Sequence, residues 1–379
     1  MMRALTIGLR DDLLRTSTNI FSIEEHQKAA IKWLKHAHDM SSDDGVSYGY
    51  YLRGRPFSSS RIGWRSSYIE TSGYITETFY DVSKRYNDKD SANRAEKIGR
   101  WLLTVQNNDG SFSNANYDKS NGIIFDTGQV LFGLIRCYKE TKDSEFLAAA
   151  QKAAQWLFEQ IDLDGAWRNN THLNGLHTYN TRVAWAMLEY CQVSPDVDIK
   201  NAARNNLRWA LSQQMENGLF DNCGFKSGHD PFTHTIAYTI RGLFEGGLLL
   251  KDETFVVAAK KAADRMAGYV GEKGFLPGRI SAAGTPHNGS ACLTGNCQMA
   301  IIWYKMSKVF GSPALADTAK LALDYALATQ NLRTGNDNIR GAVKGSHPIW
   351  GRYTPMAYPN WATKFLIDAI LLRQEMPPS

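Results

Sequence analysis

Apolar residues recur at helical spacing along most of the chain, in segments of two alternating kinds. Segments of the first kind, such as 143–161, are amphipathic and carry Lys, Arg, Glu and Asp on one face. Segments of the second kind, such as 177–192, begin in a polar cluster and are apolar nearly all round afterwards. The first kind suits an outer wall in contact with water, and the second kind suits an inner wall that is buried on all sides.

The two kinds of segment repeat with a constant period. Trp101, Trp156 and Trp209 in the first kind lie 55 and then 53 residues apart. A period near 54 residues is right for two helices and two loops, so the repeat predicts a helical hairpin. A glycine followed by an aromatic residue closes each amphipathic helix with the same step, at Gly110, Gly165, Gly218 and Gly274.

Six such hairpins can close into a ring. The sequence therefore predicts an all-α, single-domain (α/α)6 toroid over residues 23–379, without any sheet larger than a short ribbon, preceded by an arm of residues 1–22. The predicted pairs are 23–39 with 68–86, 91–107 with 126–141, 143–161 with 177–192, 198–216 with 233–249, 252–270 with 291–310, and 313–330 with 358–374.

The order of the helices predicts where a ligand binds. Every glycine–aromatic loop joins the end of an outer helix to the start of an inner one, so all inner N-termini face one end of the ring. Helix N-termini carry unsatisfied N–H groups and a partial positive charge. We therefore expect an anionic or hydroxyl-rich ligand at that end.

Charge and composition indicate which classes of partner the protein can bind. The formal charge is only +5, and the chain has no run of Lys and Arg that would neutralise a row of phosphates, so no nucleic acid is expected. Aromatic residues make up 11% of the chain, which favours stacking on sugar rings.

The five cysteines are odd in number and unevenly spaced, which is typical of reduced thiols in a cytoplasmic protein. Cys292 and Cys297 are not at a zinc spacing, so neither a metal nor a cofactor is expected. The N-terminus lacks an uninterrupted apolar segment, and no stretch predicts a transmembrane helix.

Several phrases resemble a known group of proteins: ETSGY, FDTGQVLFGLIRCYKETKD, HTYNTRVAWA, THTIAYTIRGL, CLTGNCQMAIIW and HPIWGRYTPMAYPNWATKF. With the six-hairpin count, they are similar to α/α-toroid proteins of bacterial polysaccharide biosynthesis and to the six-hairpin glycosidase superfamily, which includes unsaturated glucuronyl hydrolases. Uronyl epimerases and the terpene cyclase and prenyltransferase toroids are more distant. The resemblance implies a carbohydrate-active enzyme, but the fold alone does not determine the reaction.

Two carboxylates are candidates for catalysis. Glu70 and Asp126 are expected within the first turn of inner helices on adjacent hairpins. Glycoside hydrolysis needs one protonated carboxyl group as acid and one ionised group to activate water, so this pair predicts hydrolysis of an acidic, uronic-acid-containing oligo- or polysaccharide. The alternative is structural: Asp126 would cap its helix, and Glu70 would pair with Arg61 or Arg65.

The third hairpin carries candidate residues for a second reaction. His177, Tyr179 and Arg182, together with His234, suit a uronyl C5-epimerase or a polysaccharide lyase. In that reaction Arg182 would bind the sugar carboxylate, and the His and Tyr side chains would move the C5 proton. The alternative partner of Arg182 is an internal Asp or Glu. A non-catalytic glycan-binding toroid is the third possibility.

The remaining candidates are substrate-binding residues at the starts of inner helices and in the loops that should surround the mouth. Helix capping is the structural alternative for the Asn residues among them. The set is Trp64, Tyr74, Gln129, Asn180, Tyr238, Asn296, Gln298, Trp350, Tyr358, Asn360, Trp361 and Lys364. Further aromatic and basic residues expected in the mouth loops are Tyr48, Tyr51, Tyr353, Arg53, Arg55 and Arg352.

Overall fold

Twelve helices form six consecutive hairpins in a computed structural model that describes residues 5–9, 21–52, 62–113 and 121–376. Odd-numbered helices are the outer members of the pairs, and even-numbered helices are the inner members. The helices are α1 (Ile23–Asp39), α2 (Ile69–Tyr86), α3 (Lys89–Val105), α4 (Ile124–Thr141), α5 (Ser144–Glu159), α6 (Thr181–Val193), α7 (Val197–Ser212), α8 (Thr233–Leu250), α9 (Glu253–Ala267), α10 (Leu293–Phe310), α11 (Pro313–Ala328) and α12 (Asn360–Gln374).

This architecture confirms the predicted all-α (α/α)6 toroid. The inner helix α6 starts four residues later than expected, behind a 3-10 turn at Thr178–Asn180. The cause is local: both ring nitrogens of His177 contact backbone carbonyl oxygens, and the Thr178 N–H donates to the Asn222 carbonyl at 2.9 Å. These bonds hold the residues before α6 away from helical geometry.

The outer wall packs on the inner wall through small residues. Helix α5 buries Ala149, Ala150, Ala153 and Ala154 on one face, and α9 buries the same spacing of alanines. Alanine has the highest helix propensity and lets helix backbones approach closely. The repeated tryptophan is buried at Trp33, Trp101 and Trp156.

The glycine loops tie each hairpin to the next. Each of these glycines has a positive φ of 78° to 93°, which glycine adopts without the penalty of a Cβ atom. Each also lies against the outer helix of the following hairpin, so the sixth loop closes the ring onto the first helix. The contacts are Gly110 with Lys152, Gly165 with Asn205, Gly218 with Lys261, Gly274 with Leu321 and Gly341 with Ala29.

Glycines also bring neighbouring inner helices together. A Cβ atom on Gly73 of α2 would lie 2.5 Å from the Val130 Cα of α4, and one on Gly133 would lie 2.3 Å from the Gly73 carbonyl oxygen. Gly242 of α8 meets the backbone of Thr181 in α6 in the same way. The backbones of these inner helices are therefore in contact where the helices cross.

The mouth loops contain two small three-stranded sheets, where the sequence predicts no sheet larger than a short ribbon. One has the antiparallel order β2 (Gly63–Trp64), β1 (Gly49–Tyr51), β6 (Ala357–Pro359), with Tyr50 paired to both Trp64 and Tyr358. The other has the antiparallel order β3 (Pro277–Ile280), β4 (Pro286–Cys292), β5 (Ser346–His347). Strands β1 and β6 are far apart in sequence, and such pairing leaves no periodic signal.

The seam between α2 and α12, the first and last inner helices, is polar. Asn360 donates to the Ser47 carbonyl and to the Thr71 hydroxyl, each at 2.8 Å. Further along, Thr78 donates to Asp368 at 2.7 Å.

Residues 5–9 of the predicted arm are helical, and Leu5, Ile7 and Leu9 pack against the core, while the division into arm and toroid stays a prediction. Across the described residues no helix has the length and apolar character needed to cross a bilayer.

Four of the six inner helices end on a left-handed residue, which yields a prediction for stability. The caps are Asn87 after α2, Lys142 after α4, Lys251 after α8 and Gly311 after α10, with φ of 53°, 62°, 55° and 60°. We expect Lys142→Gly to raise the free energy of unfolding by about 0.5–1 kcal/mol, because the left-handed penalty exceeds the entropy cost of glycine. Urea denaturation measures the change. Gly311→Lys is the reciprocal control, and it should destabilise by a similar amount; a loss in both variants would contradict the prediction.

Candidate active site

A cavity of about 640 Å³ opens at the end of the ring where the inner helices begin. Its position agrees with the end expected from the order of outer and inner helices. The side chains come from α2, α4, α8 and α12, from the 3-10 turn before α6, and from the loops that precede α2, α6, α8 and α12. The lining includes Tyr48, Tyr51, Tyr68, Glu70, Tyr74, Phe125, Asp126, His172, Tyr179, Phe225, Phe232, His234, Tyr238, Arg352, Tyr353 and Trp361.

Glu70 and Asp126 lie side by side in this lining, in the first turns of α2 and α4. Both side chains are buried, with 9% and 6% of their residue surface exposed. Burial raises the pKa of Glu70 to about 7, while the Tyr68 hydroxyl and the positive charge of Arg182 oppose the rise. Burial also raises the pKa of Asp126 well above its usual range, and the neighbouring Glu70 raises it further.

Within the described residues, Asp126 is not the N-cap of its helix, and Glu70 does not pair with Arg65. The N-cap residues of α2 and α4 are Tyr68 and Ile123, and neither helix has a side-chain cap. Arg65 stacks on the Tyr51 ring at 4.7 Å. Among the described residues Glu70 forms no ion pair, and Arg61, Arg53 and Arg55 lie outside the described ranges.

His234 also faces the cavity. Its Nδ1 lies 2.9 Å from the Gln298 side-chain oxygen, which accepts a hydrogen bond and so leaves the lone pair on Nε2. Burial lowers the pKa of His234 to about 3, so the ring is neutral at physiological pH. Tyr238 packs at 4.4 Å and Tyr353 at 5.1 Å between ring centroids, which holds the imidazole in place.

His177 lies behind the cavity wall rather than in it. Its Nε2 lies 2.7 Å from the His172 carbonyl oxygen, and its Nδ1 lies 3.0 Å from that of Gly224. The ring stacks on Tyr179 at 4.6 Å, and Tyr179 does line the cavity. The geometry therefore gives His177 the role of supporting Tyr179.

Several predicted substrate-binding residues occupy a layer below or beside the cavity. Arg182 is 1% exposed and donates from Nε to Gln129 at 2.5 Å. Lys364 pairs with Asp368 at 2.5 Å. The buried residues that do not appear in the lining are Gln129, Asn180, Arg182, Asn296, Gln298, Tyr358, Asn360 and Lys364.

The two candidate tryptophans of the mouth loops lie away from the lining. Trp64 packs on Trp33 at 5.5 Å between ring centroids, and its indole N–H donates to Asn338 at 2.8 Å. Trp350 is 49% exposed on the loop before β6. Tyr74, Tyr238 and Trp361 are the predicted binding residues that do line the cavity.

Other lining residues were not assigned to the site by the sequence analysis. Tyr68 precedes α2 by one residue, and Phe125 precedes Asp126. Their position next to a predicted carboxylate is a signal that could have found them. His172, Phe225 and Phe232 lie on irregular loops, where no periodicity points to the cavity.

No protein-family model matches the chain, and no curated protein is significantly similar in sequence. Solved structures do match. A heparin-specific unsaturated glucuronyl hydrolase has a TM-score of 0.72 at 13% identity, covering 93% of this chain and 97% of that one. A cellobiose 2-epimerase from Bacillus thermoamylovorans has a TM-score of 0.71 at 13% identity, covering 92% and 97%.

A glycosyl hydrolase family 88 protein from Bacteroides vulgatus has a TM-score of 0.65 at 12% identity, covering 94% of this chain and 99% of that one. These neighbours are toroids over nearly their whole length. The resemblance to the six-hairpin glycosidase superfamily is therefore confirmed at the level of the fold.

Proposed function

We propose that the protein hydrolyses a glycosidic bond in a uronic-acid-containing oligo- or polysaccharide. The observation that carries the proposal is the Glu70–Asp126 pair, which lies in a buried cavity with the pKa of both carboxyl groups raised. Two adjacent carboxyl groups with different environments are the means by which a glycosidase separates acid from base. Titration of such a pair is coupled, so the first proton leaves the member whose ionised form is better stabilised.

The environments assign the two roles. Glu70 has the Tyr68 hydroxyl and the Arg182 charge in its favour, so it ionises first and activates water as the base. Burial and the Glu70 charge raise the pKa of Asp126, and a hydrogen bond from its own backbone N–H opposes them. The first two effects are larger, so Asp126 keeps its proton and donates it to the leaving oxygen. After cleavage Glu70 carries the proton that it took from the attacking water and Asp126 is ionised, and transfer of this proton to Asp126 through solvent restores the starting state.

The acidic substrate is supported by charge and by the neighbours. Arg352 is exposed in the mouth loop, and it is the one arginine in the described lining. Its planar guanidinium can bind a carboxylate through two hydrogen bonds. Solved structures with the same fold act on unsaturated glucuronyl sugars, so unsaturated glucuronyl oligosaccharides are the first substrates to test. Tyr51 and Trp361 offer ring faces for the sugar.

A uronyl epimerase or lyase is the second candidate, because His234 is a neutral imidazole with its Nε2 lone pair available to the cavity. Such a ring can accept a proton from carbon. An epimerase has the same fold. Solvent deuterium in the recovered sugar without new reducing ends would identify the epimerase, and new reducing ends together with the absorbance of an unsaturated sugar would identify the lyase.

The proposal includes a cytoplasmic location and a role in polysaccharide biosynthesis or modification. Its support is that all five cysteines are buried free thiols. Burial raises the pKa of Cys292 to about 12, so this thiol is unreactive at neutral pH.

The test of function uses matched acidic and neutral sugars. The protein is incubated with unsaturated and saturated uronic-acid oligosaccharides and with their carboxyl-reduced forms, while reducing ends and the absorbance of unsaturated groups are followed. We expect hydrolysis of an acidic sugar and a higher KM, or none, for its reduced form. Binding without turnover would indicate the non-catalytic glycan-binding toroid.

Arg352→Met sharpens this test. We expect its KM for the acidic sugar to rise by roughly 10-fold or more, because a hydrogen bond to a charged group contributes about 1.5–3 kcal/mol. The carboxyl-reduced sugar should be unaffected. Arg333→Met, an exposed arginine that stacks on Phe21, is the matched control. Equal KM changes for both sugars would exclude Arg352 as the carboxylate-binding residue.

A further inference from the structure

A buried cation that takes no direct part in the proposed reaction lies beneath the cavity. Arg182 of α6 is 1% exposed and does not line the cavity. Its Nε donates to the side-chain oxygen of Gln129, one helical turn after Asp126 in α4. Its Nη1 is buried and has no hydrogen-bond partner among the described residues.

Aromatic rings surround this guanidinium on several sides. Five ring centroids lie 5.0 to 5.9 Å from its Cζ atom, on helices α2, α4, α6, α8 and α12. Ring faces stabilise a cation, but less than a carboxylate or water does. The rings belong to Tyr74, Phe132, Trp185, Tyr238 and Phe365.

No carboxylate forms an ion pair with Arg182 in the described part of the chain. A guanidinium cannot lose its charge at physiological pH, so the cost of burying it is retained in the fold. The field of an incompletely paired charge extends further in a low-dielectric interior than in water. Arg182 therefore acts on ionisable groups that it does not touch.

We propose that Arg182 is the positioning residue that makes the two carboxyl groups unequal, by holding Glu70 ionised while Asp126 keeps its proton. The proposal rests on the proposed hydrolysis, and it adds the origin of the acid and base roles. Gln129 lies on α4, the helix that carries Asp126, and its side-chain oxygen accepts a hydrogen bond from Arg182. It therefore holds the Arg182 guanidinium in place.

The groups around Glu70 support this assignment. Its own helix presents Tyr68 at the N-cap and Tyr74 one turn on, and α4 presents Asp126. The remaining sides present the phenols of Tyr179 and Tyr238. Arg182 is the cation whose charge acts on Glu70, and it opposes the effect of burial on the Glu70 pKa.

Charged groups on three other inner helices act on Arg182 or are affected by it. Glu77 of α2 attracts it, and Arg241 of α8 repels it. The Arg182 charge contributes to lowering the pKa of Lys364 on α12 and of His234 on α8. Lys364 and Arg136 also act on Glu77. Among the described residues Glu77 forms no ion pair with Arg182.

The experiment measures the titration of Glu70 in two independent ways. In the pH profile of kcat/KM, Arg182→Met should move the acidic limb, which reports ionisation of the base, upward by about one pH unit or more. Carbon-13 NMR of glutamate carboxyl groups should show the same upward shift for Glu70, with Glu70→Gln used to assign the resonance. Arg182→Lys should give a smaller shift, because it keeps the charge and loses the planar geometry.

Arg241→Met is the matched control: it removes a cation from the next inner helix, where Arg241 stacks on Trp185 and pairs with Glu245. It should leave the Glu70 resonance in place. A folded Arg182→Met protein with an unchanged Glu70 titration would overturn the proposal.

If Arg182→Met does not fold, Arg182→Lys and Gln129→Met decide, since both keep the charge and alter its placement. Unchanged Glu70 titration in both would equally overturn the proposal. Absence of hydrolysis in the wild-type protein would contradict the proposed function. The NMR measurement needs no turnover, so the titration of Glu70 would still test the role of Arg182.

Discussion

Glu70→Gln and Asp126→Asn are each expected to lower kcat/KM for an acidic oligosaccharide by a factor of roughly 10² to 10⁴, the range of general acid and base catalysis. Each change keeps the shape of the side chain and removes its proton chemistry. KM should change little, because Arg352 and the aromatic lining still bind the sugar. Steady-state kinetics at several pH values measures the loss.

Both variants should be at least as stable as the wild type at neutral pH. The pKa of Glu70 is about 7 in the folded protein, above its usual value of 4.5. Between these two pH values the folded state binds more protons than the unfolded state, so the protein loses stability as pH rises through this range. Glu70→Gln removes this loss. Its melting temperature should therefore match the wild type near pH 4 and exceed it above pH 7.

Glu189→Gln provides the control, because Glu189 lies on the inner helix α6, away from the lining, and pairs with Lys139 at 3.2 Å. Its activity should be that of the wild type. Retention of activity in Glu70→Gln, or equal losses in all three variants, would contradict the assignment of the pair.

Gly73→Ala is expected to cost about 3 kcal/mol of the free energy of unfolding, near the upper end for overpacking. The added Cβ atom would meet backbone atoms of α4, namely Val130 Cα at 2.5 Å and the Gln129 carbonyl oxygen at 2.8 Å. Backbone cannot turn aside as a side chain can, so α2 and α4 must separate. Because these helices carry Glu70 and Asp126, activity should fall together with stability.

Gly246→Ala is the matched helical control for that prediction. Its Cβ atom would meet the end of the Leu207 side chain at 2.7 Å, and that side chain can move. The gain in helix propensity offsets the strain, so the free energy of unfolding should stay within about 1 kcal/mol of the wild type. Thermal melting and urea denaturation of both variants measure the difference. Similar losses in the two would show that Gly73 has no special role.

Most of the helical framework could be predicted from the sequence because the structure repeats. The 54-residue period and the glycine loops determine where each hairpin begins and turns, so errors at helix ends are small. The later start of α6 has a different origin, since His177 bonds to the carbonyl groups of His172 on its own loop and of Gly224 on another loop. Each mouth sheet is completed by a strand that is distant in sequence, β6 on β1 and β5 on β4, and such pairing leaves no periodic signal.

The site was predictable in position but less so in orientation. Glu70 and Asp126 lie in the first turns of α2 and α4 and line the cavity, because the inner helices begin at that end of the ring. Arg182 lies in the first turn of α6, yet the 3-10 turn before that helix places Tyr179 in the lining and Arg182 beneath it. Residues of irregular loops, such as Phe232 and Arg352, follow no period.

The contact between Gly341 and Ala29 makes the closing junction equivalent to the four junctions at Gly110, Gly165, Gly218 and Gly274. The order in which the hairpins are synthesised is therefore separate from the order in which they stand around the ring. A circular permutant that joins the natural ends through a linker and opens the chain between two other hairpins, for instance after Val193, keeps every junction except the one that is cut. Selection acting on such a ring can move the chain ends without rebuilding the cavity.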